Sequence, residues 1–151
     1  MISETDPQSL QQRAKKFISA NICKEHEYLL WRLKERVAER NANRGNLPEL
    51  ALSGSSIVVL GHTALYLKFA QQYSNPDLYI LGLTVGWAPR KEPLFGTACE
   101  PQRIDCQGAA STDLRDILWV DNKNLGPFTS AELVEFALDW LTSFYQQHVP
   151  N

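Results

Sequence analysis

Residues 64–87 read ALYLKFAQQYSNPDLYILGLTVGW, and their period decides the fold. In the second half, Tyr79, Leu81, Leu83, Val85 and Trp87 alternate with Ile80, Gly82, Thr84 and Gly86. Alternation of this kind marks a strand, whose successive side chains point to opposite faces. The face bearing the small residues allows a close approach by a helix or a neighbouring backbone. The first half is two-sided. Leu65, Leu67 and Phe69 alternate with Tyr66, Lys68 and Ala70, yet Leu65, Phe69 and Tyr73 also stack at helical spacing. The segment is short, and Ser74-Asn75-Pro76-Asp77 is a strong turn leading straight into the next strand, so Ala64–Gln72 is read as a strand. The two runs then form an antiparallel hairpin. A helix in the first half would make a βαβ unit instead.

On the N-terminal side, Ser56–Leu60 is short, apolar and β-branched, which suits a strand broken at Gly61-His62. Upstream lie two helical patterns. Asp6-Pro7 is a helix start, and Leu10, Ala14, Phe17 and Ile18 form one stripe that ends near Asn21. Ile22, His26, Leu29, Leu30, Leu33 and Val37 mark a second, longer helix, with Trp31 beside the stripe. Gly45, Asn46 and Pro48 end it.

On the C-terminal side, residues 88–113 show no sustained period and read as irregular, with a short strand expected within Gln102–Cys106. Asp116–Asp121 reads as a strand. Thr129 and Glu132 have capping-box spacing, with Phe128 and Leu133 placed as a hydrophobic staple. Leu133, Phe136, Ala137, Trp140, Leu141 and Phe144 give the following helix a wide apolar face. Helices at the two ends with strands between them predict an α+β fold. The expectation is one domain over residues 1–151, an antiparallel sheet of about four strands flanked by two N-terminal helices and one C-terminal helix.

The totals bound the function class. With 151 residues, 44% hydrophobic and 10% aromatic, the chain has the composition of a globular domain with one core. Leu78–Ala88 is its longest uncharged apolar stretch, far short of the roughly 20 residues a membrane helix needs. The acidic, polar start lacks the pattern of a secretory signal. Three cysteines, Cys23, Cys99 and Cys106, fit free thiols in a reducing compartment. Together these predict a cytoplasmic protein without membrane association. The formal charge of −2 hides an asymmetry: residues 13–44 hold nine Lys/Arg and four Glu, whereas residues 45–151 hold six basic and eleven acidic residues. Such polarity can steer charged partners, but a solvated helix face is the plainer explanation.

Candidate chemistry is sparse. Cys23, His26, Cys99 and Cys106 make up the residue set of a Cys₃His zinc site, but no pair has the tight spacing of a zinc knuckle, and His26 falls within an apolar stripe. No metal or other cofactor is expected. Cys99 or Cys106 with His62 or His148 would make a small cysteine-dependent hydrolase, provided the thiol pKa is lowered. Gly54-Ser55-Ser56 lacks the context of a nucleophile elbow. Asp105, Asp113, Asp116 and Asp121 read as turn formers rather than paired acids. No glycine-rich phosphate loop occurs. Arg32, Arg36, Arg40 and Arg44 recur every four residues. That row suits an anionic protein surface better than nucleic acid, because Glu25, Glu35 and Glu39 interrupt the helix and the isoelectric point is 5.9. Trp31, Trp87, Trp119 and Trp140 fall on four separate elements, and such residues anchor both cores and interfaces. The resulting expectation is a non-catalytic binding or protein–protein interaction domain that self-associates as a homodimer. Trp31, Arg32, Arg36, Arg40, Trp87 and Trp119 are its candidate binding residues. A small ligand is the alternative partner, with a cysteine hydrolase and a nucleic-acid accessory protein as the competing readings.

Overall fold

A computed structural model describes residues 7–61, 65–75, 78–87 and 101–148. The order of elements is α1 (Pro7–Ala42), β1 (Leu50–Ser53), β2 (Ile57–Leu60), β3 (Leu65–Asn75), β4 (Leu78–Trp87), β5 (Gln102–Ala110), β6 (Ile117–Asp121) and α2 (Ser130–His148). The strands form one antiparallel sheet in the order β1-β2-β3-β4-β5-β6, a meander in which each strand pairs with its sequence neighbours. The fold class is α+β, with six strands among the described residues where about four were expected and two helices where three were expected.

The 64–87 reading holds. β3 and β4 pair from Leu65↔Trp87 to Gln71↔Leu81, and the register then shifts between Gln71 and Tyr73. The small residues of β4 do admit a close approach, but by side chains rather than by a helix. A Cβ at Gly82 would lie 2.9 Å from Gln72 Cγ, and one at Gly86 would lie 3.0 Å from Pro101 Cβ.

The two expected N-terminal helices are one helix of 36 residues. Asn21 does not end it, because its side-chain amide donates to the Phe17 carbonyl at 2.8 Å, one turn back, and so joins the ladder. No Gly or Pro interrupts residues 8–42. The helix ends where the sequence says it should, with Gly45 at φ 61°. β1 was not foreseen. Its Leu50/Leu52 alternation covers only four residues. Its outer edge is closed by Asn41 of α1, whose side-chain amide donates to the Leu50 carbonyl and whose oxygen accepts from the Leu50 N–H, both at 2.8 Å.

β5 corrects the irregular reading of 88–113. Residues 102–110 are a full strand, longer than the expected Gln102–Cys106; residues 88–100 lie outside the described residues. Its inward positions are Ile104, Cys106 and Gly108, a set too mixed to announce a strand. Gly108 is needed because α1 crosses there: a Cβ would lie 2.5 Å from Ile22 Cδ1. The capping box forms as expected, with Thr129 N–H donating to Glu132 Oε1 at 2.9 Å and Glu132 N–H donating to Thr129 Oγ1 at 3.1 Å.

Both helices lie on one face of the sheet. Leu29, Leu33 and Val37 of α1, and Leu133, Leu138 and Leu141 of α2, join the inward residues of β2–β6 in one contiguous core. The other face mixes Val59, Tyr66, Ile80 and Leu118 with Lys68, Arg103, Asp105 and Gln107, and no described helix covers it. Among the described residues, no helix is long and apolar enough to cross a membrane.

Candidate interaction surface

The outward face of α1 carries the largest exposed aromatic side chains among the described residues. Trp31 is 54% and Tyr28 43% exposed, with ring centroids 5.9 Å apart. A helix advances about 100° per residue, so Lys24, Tyr28, Trp31 and Glu35 share a stripe about 60° wide. That stripe lies opposite Ile22, Leu29, Leu33 and Val37, which are buried against the sheet. α1 therefore buries one face and presents the Tyr28–Trp31 pair, between Lys24 and Glu35, on the opposite one. The exposed aromatic pair rests on a helix whose other side is fixed in the core, so the two rings are presented on a rigid element. Lys24, Glu27, Lys34 and Glu35 around the pair are exposed, and Arg32 is half-buried. None of these five forms an ion pair with another described residue.

The arginine row divides. Arg36 and Arg40 turn toward α2. Arg36 Nε donates to Glu135 Oε1 at 2.8 Å, Arg40 Nη2 meets Asp139 Oδ1 at 2.8 Å, and Arg36 also pairs with Glu39. The Arg36 hydrogen bond holds the Glu135 carboxyl below its ordinary range and raises the guanidinium's own pKa. Arg44 lies 3.8 Å from Glu49. An open groove of about 270 Å³ is lined by Arg36, Arg40, Arg44, Leu47 and Pro48. Glu39, Glu135 and Asp139 already pair with Arg36 and Arg40, which weakens the groove's attraction for a phosphate backbone.

Of the other candidate binding residues, Trp119 is fully buried. Its indole N–H donates to Ser130 Oγ at 2.9 Å, and the Ser130 hydroxyl donates to Glu25 Oε1 at 2.8 Å, a chain that ties β6 to both helices. Trp87 is half-buried, with its ring centroid 6.4 Å from that of Phe144. Trp140 donates its indole N–H to Gln102 Oε1 at 3.3 Å.

The thiol and imidazole candidates do not assemble. Cys23 is exposed, while the His26 ring leans into the core and shares a short hydrogen bond between Nδ1 and the Tyr79 hydroxyl. Burial lowers the His26 pKa, against a smaller opposing effect of Glu27. Burial also raises the Tyr79 pKa, with Cys23 adding to it. Cys106 is buried, and desolvation together with Asp121 and Asp105 pushes its pKa up to about 12, the reverse of what a nucleophile requires. His62 and Cys99 lie outside the described residues, as does the side chain of His148. Among the described residues, no three His, Cys, Asp or Glu side chains are grouped to hold a metal. Asp121 is the buried carboxylate of β6. Burial raises its pKa, but N–H bonds from Leu125, Gly126 and Lys123 outweigh that and bring it below the usual value. It organises a turn, the role expected of it. The sequence reading missed Tyr28, which the structure pairs with Trp31; the i,i+3 spacing of the two aromatics was the signal available.

No family model, no curated protein and no solved structure matches the chain.

Proposed function

We propose that this chain is a non-catalytic protein-interaction domain that binds through the outward face of α1. The observation that carries this reading is the Tyr28–Trp31 pair, two large aromatics exposed side by side on a helix anchored from behind. Tyr and Trp presented on a rigid element are strong interface anchors, because they add large contact area at little entropic cost. The raised Cys106 pKa weighs against a hydrolase built on that thiol, and the paired Arg36 and Arg40 weigh against the nucleic-acid reading.

A photo-crosslinking amino acid placed at position 31 tests this in the cell of origin. The expected result is covalent protein adducts that are lost when Tyr28 is replaced by Ala in the same chain. Absence of adducts at position 31, or adducts no more abundant than those from exposed Lys123, would overturn the reading.

A further inference from the structure

The segment 24–35 reads KEHEYLLWRLKE. Its charges are antisymmetric about its own midpoint, between Leu29 and Leu30. Lys24 is matched by Glu35, Glu25 by Lys34, Glu27 by Arg32, and Tyr28 by Trp31. Within the segment no opposite charges stand at i,i+4, and only Lys24–Glu27 and Arg32–Glu35 stand at i,i+3. Lys24, Glu27, Arg32, Lys34 and Glu35 form no ion pair with another described residue.

Charge antisymmetry along one exposed helix face has a plain geometric use. A two-fold axis perpendicular to the helix and level with that midpoint sets residue n of the contact stripe opposite residue 59 − n of a second copy, while residues beside the stripe meet partners from the same flank. We infer that two copies of this chain pair antiparallel through α1, about a two-fold axis between Leu29 and Leu30. In that register Lys24 faces Glu35 of the second copy, and Tyr28 faces Trp31 of the second copy, so four aromatic rings gather at the axis. On one flank Glu27 approaches Lys34 of the second copy. On the other, Arg32 approaches Glu25 of the second copy, whose Oε1 also accepts from Ser130. Each of these three charge pairings occurs twice, by symmetry. A parallel pairing would instead set Lys24 against Lys24 and Glu35 against Glu35. The contact is about 18 Å long, short for a protein interface, so pairing is expected to depend on concentration.

The inference rests on the interaction reading above and names the occupant of that surface. Sedimentation velocity over micromolar to millimolar concentration tests it on the full chain. The parent is expected to pass from monomer to dimer. Lys24→Glu alone and Glu35→Lys alone each weaken pairing about tenfold, because each places like charges face to face twice. Mixing the two single variants restores dimer as a heterodimer, and the double variant K24E/E35K restores it within one chain. Restoration also shows that the variants are folded. A parent that stays monomeric at millimolar concentration, single variants that pair as well as the parent, or a mixture that fails to pair would each overturn the inference. Position-31 adducts with a different protein from a strictly monomeric parent would sink the dimer while leaving the interaction reading intact.

Discussion

His26 shows how a single ring can be held on one side of its titration. It lies on the core side of α1, its Nδ1 bonded to Tyr79, and Tyr79 is in edge-on contact with it at 5.7 Å between centroids. Burial lowers its pKa from 6.5 in the folded chain, while Glu27 opposes this weakly. Above that value the ring is neutral in both folded and unfolded chains, and stability is complete. As the pH falls below it, the unfolded chain binds a proton that the folded chain resists, so stability declines until the folded pKa is passed. Denaturant midpoints should therefore fall between neutral pH and about pH 5, and His26→Gln should flatten that fall. An equal slope in the variant would remove His26 as its source. Tyr79→Phe leaves the imidazole without its partner and is expected to cost about 1 kcal/mol at neutral pH.

At the scale of elements, the crossing of α1 over β5 depends on a missing side chain. Ile22 packs where Gly108 leaves room, and Gly108 stands opposite Trp119 in the β5–β6 register. Gly108→Ala should destabilise the fold by about 1–3 kcal/mol, as overpacking does. Ile22→Val removes the clashing Cδ1, so the double variant should lose less than the sum of the single losses. Strict additivity in chemical denaturation would show that the contact is not shared. The same crossing explains what was legible beforehand. The 64–87 hairpin and the α2 cap were readable because alternation and capping are local patterns. β5 was not, because Gly108 has meaning only against Ile22, on an element 86 positions earlier. The arginine row was equally local as a pattern but non-local in use: Glu135, which claims Arg36, lies 99 positions downstream. Trp31 was read as lying beside the buried stripe, and the structure instead exposes it on the opposite side of α1, next to Tyr28.

At the scale of the whole molecule, a meander of six neighbouring strands is covered on one face by two helices tied to each other through Arg36–Glu135 and Arg40–Asp139. Such an open sheet has two borders. At β6, Phe128 exchanges backbone hydrogen bonds with Trp119, N–H to carbonyl in both directions at 2.9 and 2.7 Å, so the chain returning toward α2 occupies that border. At β1, among the described residues, it is the Asn41 amide that offers Leu50 the donor and acceptor a seventh strand would bring. Asn41 is thus a one-residue stopper against polymerisation. Asn41→Ala should leave a soluble protein that seeds fibrils on prolonged incubation, read by thioflavin fluorescence; unchanged lag times would mean the border is guarded by something else. The amide that ends one helix's run would then be what keeps neighbouring molecules from knitting into a common ribbon.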